Sequence, residues 1–260
     1  MSQNLAGKVA LVTGSSRGIG AATAVRLAQQ DADVAINYVN SAQAAEGVAE
    51  ESRAFGVRAI TVKADVSKEE DIKRLFQKVI EEFGQVDIVL SNSGIEHFGA
   101  VPDVTEQQID HMFAVNVKAQ YFVAQQSHKY IADNGRLILM SSISAQKGIS
   151  EHAIYAASKA ATQAMVKCLA FDFGPRNITI NAIAPGGVKA DMYKEAAAKY
   201  IPGGEAMSEL EIDGILSKWS PLGRPGFPDD ISGVVALLAS SEAQWLTGQT
   251  LHVSGGAHMA

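Results

Sequence analysis

Short apolar runs alternate with longer segments of helical period along most of this chain. The run Val9–Val12 is apolar throughout, which is typical of a strand buried on both faces of a sheet. The segment Lys68–Phe83 instead places apolar residues at every third or fourth position, as an amphipathic helix does. Regular alternation of the two patterns favours repeated βα units and therefore a parallel sheet covered by helices on both faces.

The alternation predicts seven strands and six long helices. The predicted strands are Lys8–Thr13, Asp33–Tyr38, Val57–Lys63, Val86–Ser91, Gly135–Ser141, Ile178–Ala184 and Thr250–Val253. The predicted helices are Ile19–Gln30, Ala42–Phe55, Lys68–Phe83, Glu106–Ala132, Ile154–Phe173 and Asp229–Ala239. The expected fold class is α/β, a Rossmann-type, doubly wound, seven-stranded parallel sheet formed by residues 1–260 as a single domain.

One segment, at about 190–227, interrupts the alternation. It is rich in Gly, Pro and Met and carries Tyr193, Tyr200 and Trp219. Because loops over the carboxyl ends of parallel strands usually carry specificity, we expect an insertion that covers the substrate. The alternative is a surface helical hairpin whose only role is packing.

Composition narrows the class of partner. The 260 residues include 22 basic and 28 acidic side chains, for a net charge of −6, and no basic run marks a nucleic-acid footprint. No apolar stretch approaches the roughly 18 residues that span a bilayer. We therefore expect a small-molecule substrate, with neither nucleic acid nor membrane as partner.

The chain has one cysteine, Cys168, so no internal disulfide can form. Cys168 lies in the apolar run that includes Met165 and Leu169, which predicts a buried thiol. The beginning of the chain also shows no basic stretch followed by a long apolar one. These features predict a reducing, cytoplasmic location.

A glycine-rich segment, Thr13-Gly14-Ser15-Ser16-Arg17-Gly18-Ile19-Gly20, follows the first strand. Glycines at these positions let backbone N–H groups approach a pyrophosphate at the start of a helix. Three glycines alone are weak evidence, because Gly14, Gly18 and Gly20 could simply shape a tight turn. Their place directly after a strong first strand favours a dinucleotide site.

The end of the second strand indicates which dinucleotide is bound. Folds that prefer NAD place a carboxylate there against the ribose 2′-hydroxyl, but this chain has Asn40 and Ser41. Together with Arg17, these side chains could hold a 2′-phosphate, so NADPH/NADP+ is the predicted cofactor. The alternative is that Arg17 is a solvated loop charge.

The strongest chemical motif is Tyr155 followed four residues later by Lys159, one helical turn away on a shared face. A neighbouring ammonium favours phenolate, so Lys159 is expected to lower the pKa of Tyr155. Ser142, at the end of the fifth strand, is expected to donate to the same carbonyl oxygen as Tyr155. The hydroxyls of Ser141 and Ser144 are rivals for that role, or could satisfy loop carbonyls.

Asn116 is an amide within an otherwise apolar helical run, where a polar group needs partners. It could hold a water that delivers protons through Lys159. It could equally mark a helix kink satisfied by the backbone. Asp65-Val66 and Asn92-Ser93-Gly94 end the third and fourth strands at the same sheet edge, although each could be an ordinary turn.

With these motifs in order, together with Pro185-Gly186, the whole chain resembles the short-chain dehydrogenase/reductase superfamily. Further stretches resemble the fungal hydroxynaphthalene reductases, versicolorin reductases and a fungal 17β-hydroxysteroid dehydrogenase. These are Ser91–Ile95, Gly135–Met140, Ala184–Gly187, Asp191–Tyr193 and Trp219–Leu222. Ala190 departs from the superfamily pattern, because a threonine hydroxyl commonly meets the cofactor there.

The resemblance implies a catalytic tetrad, a homotetramer built as a dimer of dimers, and NADPH as cofactor. The tetrad would be Asn116, Ser142, Tyr155 and Lys159. The cofactor residues would be Gly14, Ser16, Arg17, Gly18, Ile19, Gly20, Tyr38, Asn40, Ser41, Asp65, Val66, Asn92, Ser93, Gly94, Asn116, Tyr155, Lys159, Pro185, Gly186, Gly187 and Val188. The substrate residues would be Ser142, Ser144, Tyr155, Gly187, Met192, Tyr193 and Trp219, and no metal site is predicted.

The predicted function is NADPH-dependent reduction of a ketone, or of the keto tautomer of a phenol, on an aromatic polyketide-like substrate in secondary metabolism. A second hypothesis is a general ketone reductase for a 3-oxoacyl thioester, a steroid or a terpenoid, because fold and tetrad say little about substrate. A third, from another class, is a dinucleotide-binding protein without turnover.

Overall fold

A computed structural model describes residues 5–190, 193 and 196–259. Seven parallel strands form one sheet in the order β3-β2-β1-β4-β5-β6-β7. They are β1 (Val9–Val12), β2 (Asp33–Tyr38), β3 (Ala59–Lys63), β4 (Val86–Ser91), β5 (Ile131–Met140), β6 (Thr179–Pro185) and β7 (Thr250–Val253). The predicted Rossmann-type fold class is confirmed.

Helices cover both faces of the sheet, and a separate apolar core lies under each layer. They are α1 (Gly18–Ala28), α2 (Ala42–Arg53), α3 (Glu69–Phe83), α4 (Glu106–Phe113), α5 (Ala119–Tyr130), α6 (Ala153–Phe173), α7 (Glu209–Ser217) and α8 (Pro228–Ala239). One core includes Leu27 and Ile36, and the other includes Phe76 and Phe173. Strands buried between two helical layers explain the apolar runs of the sequence.

The prediction of one helix over Glu106–Ala132 is wrong in two respects. The helix is divided by a π-helical turn at Ala114–Lys118, and it ends at Tyr130. The next strand then begins at Ile131, four residues before the predicted Gly135. The apolar spacing hid the π-helical turn because one extra residue per turn leaves nearly the same pattern.

The start of β5 is irregular for a local reason. Ile131 pairs with Val86, and the register then shifts so that Arg136 pairs with Ile88. Asn134 between them has a φ of 65°, and a Cβ at Gly135 would lie 2.2 Å from the Ile131 side chain. The Asn-Gly pair thus forms a bulge that resembles a loop in the sequence.

The strand order reverses between β1 and β4, from which the chain runs outward to either side. In open α/β sheets, ligands bind at the carboxyl ends of the strands beside this reversal. The glycine-rich segment follows β1, and Asn92-Ser93-Gly94 follow β4. The topology therefore brings two of the predicted binding segments together.

The described part of the 190–227 segment is mostly helical. It contains α7, two short 3-10 turns and a small apolar cluster that includes Ala197, Ile201 and Ile212. Lys189 forms an ion pair with Asp213 of α7, which ties the segment to the strand end. The segment therefore has its own core and lies beside the carboxyl ends of the strands.

Cys168 is exposed, so the predicted buried thiol is wrong. It shares a face of α6 with Ala164 and Phe171, both exposed, while Val166 and Phe173 point into the core. An apolar run on a helix with two apolar faces does not show which face the domain itself buries. Separately, none of the helices within the described ranges is long and apolar enough to cross a membrane.

Candidate active site

One cavity of about 910 Å³ follows the carboxyl ends of the strands and contains most of the predicted site. Every predicted cofactor or substrate residue that the structure describes lines it, with two exceptions, Gly20 and Asn116. Met192 lies outside the described residues. Predicted binding residues that are distant in the sequence therefore line a single cavity.

The glycine-rich loop brings backbone close to this cavity. Gly14 and Gly18 have φ values of 60° and 58°, in the left-handed region that glycine adopts without strain. A Cβ at Gly20 would lie 2.5 Å from the carbonyl oxygen of Gly14, so Gly20 permits close packing of α1 on the loop. The amino end of α1 thus opens onto the cavity, where its free N–H groups favour an anion.

Asn37, which the sequence analysis missed, holds the loop in place. Its Oδ1 accepts a hydrogen bond from the Gly14 N–H at 3.0 Å, and its Nδ2 donates to the carbonyl oxygens of Val62 and Ala64 at 3.2 and 3.0 Å. Asn37 is fully buried. A polar residue at an inward position of an apolar strand was the available signal, since such groups need partners.

At the end of β2, the cavity is lined by Tyr38, Asn40 and Ser41, with Arg17 from the glycine loop. No carboxylate stands among residues 38–41. Asp65, which also lines the cavity, uses its Oδ1 to accept hydrogen bonds from the Ser67 N–H and hydroxyl at 3.0 and 2.7 Å. The Asp65 carboxylate therefore stabilises a local turn. This agrees with the alternative interpretation, in which Asp65-Val66 is an ordinary turn.

In the segment after β4, Asn92 holds neighbouring backbone in place and Gly94 leaves space in the cavity. Asn92 donates from Nδ2 to the carbonyl oxygens of Thr13 and Gly14, each at 3.0 Å, so it fastens β4 to the glycine loop. A Cβ at Gly94 would lie 3.2 Å from Lys159 Nζ and 3.3 Å from Asn116 Oδ1. Gly94 thus keeps open the space in front of the buried ammonium, and these residues fit a dinucleotide whose nicotinamide end lies there.

Ser142, Tyr155 and Lys159 all border the same end of the cavity. The rival Ser141 is engaged elsewhere, since its hydroxyl donates to the Lys159 carbonyl oxygen at 2.9 Å and accepts from Gln163 Nε2 at 3.1 Å. Ser142 Oγ accepts the Ser144 N–H at 3.1 Å, which orients its side chain. The structure therefore favours Ser142 over Ser141 beside Tyr155.

Lys159 is buried at the floor of the cavity. Its Nζ donates to the Met140 carbonyl oxygen at 3.1 Å and lies 5.6 Å from the centroid of the Tyr155 ring. Burial lowers the pKa of Lys159 to about 8, and the Glu96 carboxylate acts in the opposite direction. The ammonium is therefore close to its titration range near neutral pH.

The expected lowering of the Tyr155 pKa is wrong for the protein itself. Burial raises the pKa of Tyr155 well above its usual value, and the Glu96 carboxylate raises it further. A hydrogen bond with Ser142 opposes the shift without reversing it. Desolvation of the phenolate is the largest cause, because the Tyr155 residue is only 7% exposed. Tyr155 is therefore held as a proton-bearing phenol.

Asn116 lies in the π-helical turn and is fully buried. Its carboxamide accepts the Ile95 N–H and donates to the Ile95 carbonyl oxygen, both at 2.9 Å, and it donates to Ser158 Oγ at 3.1 Å. The backbone-satisfied arrangement is therefore present. It also places Asn116 against the segment that contains Gly94, beside Lys159.

A polar and aromatic cluster near Tyr155 was not predicted. The His152 ring centroid lies 4.5 Å from that of Tyr155 and 4.2 Å from that of Phe98. The Tyr200 hydroxyl donates to Glu96. The sequence analysis noted Tyr200 only as an aromatic of the insertion, and single polar residues such as Glu96 and His152 carried no spacing that could have identified them.

Comparison with known proteins agrees with this geometry. Residues 14–258 match the family model described as enoyl-(acyl carrier protein) reductase. The chain belongs to the short-chain dehydrogenase/reductase family. It is 46% identical over 256 residues to a probable tetrahydroxynaphthalene reductase of Zymoseptoria tritici, covering 98% of this chain and 96% of the relative.

Two further members of the family extend the likeness. A versicolorin reductase of Emericella nidulans is 46% identical over 254 residues, covering 97% of this chain and 96% of the relative. The crystal structure of the angucycline C-6 ketoreductase LanV with bound NADP superposes with a TM-score of 0.88 at 37% identity, covering 99% of this chain and 98% of that one. The resemblance stated from the motifs is confirmed.

The buried ammonium of Lys159 makes stability depend on pH. Between pH 8 and 10.5 the unfolded chain keeps this proton while the folded chain loses it, so the unfolded state binds more protons and stability rises with pH. In Lys159→Met, this contribution is absent. In denaturant titrations from pH 7 to 10, the free energy of unfolding of wild type should increase relative to that of the variant by up to about 1.4 kcal/mol per pH unit. Exposed Lys167→Met is the control, and parallel curves for wild type and Lys159→Met would contradict the assignment.

Proposed function

We propose that this protein is an NADPH-dependent ketoreductase acting on an aromatic polyketide-like small molecule in secondary metabolism. The observation that carries the proposal is the single cavity, which joins the amino end of α1 and Arg17 at one end to Ser142, Tyr155 and Lys159 at the other. The relatives named as tetrahydroxynaphthalene and versicolorin reductases support the substrate class.

In the proposed reaction, Tyr155 gives its phenolic proton to the substrate oxygen. Burial keeps that proton on the phenol until a stronger base forms beside it, namely the oxygen of a ketone under reduction. Ser142 donates a second hydrogen bond to the same oxygen and stabilises its growing charge. Bound NADPH supplies the hydride.

Lys159 and Asn116 complete the proposed machinery. The Lys159 ammonium lies beneath the Tyr155 ring and offsets negative charge left on the phenolate after the proton leaves. Asn116 fixes the backbone of Ile95, and with it the position of Gly94 in front of Lys159. The open space before the ammonium suits a hydroxyl of the nicotinamide ribose, to which Lys159 would donate.

The preference for NADPH over NADH is proposed from the other end of the cavity. Arg17, Asn40 and Ser41 border it without a competing carboxylate at residues 38–41. A guanidinium and neutral donors suit a 2′-phosphate, which a carboxylate would repel. The NADP-bound LanV structure supports this choice.

The insertion is proposed to cover the substrate. Tyr193 and Trp219 both border the cavity from this segment, and Lys147 on the opposite rim lies 3.9 Å above the Trp219 ring. The Tyr193 hydroxyl donates to Asp213 Oδ1 at 2.9 Å, so its ring is held in place. Held aromatic rings suit a flat substrate better than a flexible acyl chain, which favours an aromatic ketone over a 3-oxoacyl thioester.

We also propose a homotetramer located in the cytoplasm. Phe171 on α6 is 84% exposed and Trp245 is 96% exposed. Exposed Ala164 and Cys168 extend the apolar face around Phe171. Large exposed apolar side chains of this kind fit contacts between copies of the chain, as a dimer of dimers would use.

Tyr155→Phe should lower kcat by about 100-fold or more, because it removes the proposed proton donor and leaves only the hydrogen bond from Ser142. Binding of NADPH, measured by fluorescence titration, should stay within about threefold of wild type. Tyr130→Phe, a half-buried tyrosine remote from the cavity, is the control. Unchanged turnover of 2-tetralone by Tyr155→Phe would overturn the proposed acid, and an absence of turnover with intact NADPH binding in wild type would favour the binding-protein hypothesis.

Arg17→Gln should raise the KM for NADPH by about tenfold and leave the KM for NADH nearly unchanged, since only NADPH carries the 2′-phosphate that the guanidinium faces. Steady-state kinetics with both cofactors provide the measurement. Arg26→Gln, an exposed position farther along α1, should change neither value. A wild-type preference for NADH would refute the cofactor assignment.

Light scattering after size exclusion should give the mass of four chains. Phe171→Glu should reduce it to that of two or one, because a carboxylate cannot be desolvated in an apolar contact without a partner. Glu50→Gln, at an exposed site on α2, should remain a tetramer. A monomeric wild type would end the tetramer proposal.

A further inference from the structure

A nearly buried carboxylate borders the substrate end of the cavity. Glu96, two residues after Gly94, has a side chain only 11% exposed and lines the cavity together with Tyr200 of the insertion. The His152 ring lies behind both, with Nε2 3.7 Å from Glu96 Oε1 and 3.4 Å from the Tyr200 hydroxyl. We name Glu96, His152 and Tyr200 the acidic cluster.

The hydrogen positions in this cluster follow from its contacts. His152 Nδ1 lies 2.9 Å from the His97 carbonyl oxygen, which only accepts hydrogen bonds, so Nδ1 carries the proton. Burial lowers the pKa of His152 to about 4, so its ring is neutral near pH 7 and Nε2 has a lone pair. The Tyr200 hydroxyl has a single proton, which it donates to Glu96. The lone pair of His152 Nε2 therefore receives no proton from Tyr200.

The acidic cluster is thus rich in hydrogen-bond acceptors at a wall of the substrate site. It also acts on the reacting groups, because the Glu96 carboxylate raises the pKa values of Tyr155 and Lys159 through space. Phe98 flanks it, with its ring edge-on to Tyr200 at 5.1 Å between centroids. A polar edge beside an aromatic face suits a flat ring that carries a hydroxyl.

We propose that the acidic cluster is a specificity subsite that accepts a hydrogen bond from a phenolic hydroxyl of the substrate and repels substrates carrying a carboxylate at that place. The inference rests on the proposed function and deepens it, by assigning the residues that recognise a hydroxyl of the aromatic substrate. Glu96 supplies the negative charge, and Tyr200, with His152 behind it, holds the Glu96 carboxylate in place. Hydrogen bonds to charged acceptors are stronger than neutral ones, so the hydroxyl is recognised by charge as well as by shape.

The test compares kcat/KM for 2-tetralone, its four ring-monohydroxylated derivatives and its carboxylated derivatives, with NADPH in excess. Wild type should prefer at least one hydroxylated ketone over 2-tetralone by about 10- to 100-fold, and should reduce the carboxylated ketones least. In Glu96→Gln, the hydroxyl preference should fall below about threefold and the discrimination against carboxylates should shrink. Glu205→Gln, an exposed carboxylate in the same insertion, should behave as wild type.

A second variant separates recognition from structural support. Tyr200→Phe removes one donor that the protein provides to Glu96, so the hydroxyl preference should persist or increase. A merely structural cluster predicts the opposite, that both variants reduce turnover of all ketones alike. The subsite would be overturned if wild type had equal kcat/KM values for 2-tetralone and its hydroxylated derivatives. It would also be overturned if Glu96→Gln left the wild-type preference among these ketones unchanged.

Binding to the NADP+ complex keeps the subsite testable if no ketone is reduced. Calorimetric titration with 2-naphthol, naphthalene and 2-naphthoate needs no turnover. Tighter binding of 2-naphthol that is lost in Glu96→Gln would support the subsite even where ketone reduction, and with it the proposed function, failed. Equal affinities of wild type and Glu96→Gln for 2-naphthol would overturn the subsite and leave ketone reduction to be judged by its own kinetics.

Discussion

The buried ammonium of Lys159 is the group on which the arrangement of the active site depends. A cation out of contact with water is unfavourable unless hydrogen bonds and nearby charge compensate it. Here the Met140 carbonyl oxygen accepts from it, and Glu96 provides negative charge. The end of β5, the helix α6 and the segment after β4 must therefore keep fixed positions relative to one another, and the side chains proposed to be catalytic are fixed with them.

The same burial determines how Tyr155 works. A phenol shielded from water keeps its proton, so the protein presents an acid and not a phenolate. Such a group suits the reduction of a ketone, in which the substrate oxygen becomes strongly basic during the reaction. The Glu96 carboxylate raises the pKa of Tyr155 further, and the hydrogen bond with Ser142 acts to lower it. The direction of catalysis that we propose follows from this balance.

Much of the fold and of the site followed from local patterns. Strands buried on both faces are apolar throughout, and the glycine loop, Tyr155 and Lys159 have spacings that only a few architectures use. The β5 start was missed because Asn134-Gly135 forms a bulge with the composition of a turn. The π-helical turn at Asn116 was missed because its stabilising contacts come from Ile95, which is distant in sequence.

The sequence by itself determined the α/β architecture, the cofactor end of the cavity and the family, because each depends on residue types at short, regular intervals. The tertiary structure alone decided that Cys168 faces outward, that Asn37 holds the glycine loop and that the Tyr155 pKa rises. It also brought Glu96, His152 and Tyr200 together from three distant segments. Burial and through-space charge depend on which segments meet, and no local spacing along the chain records that.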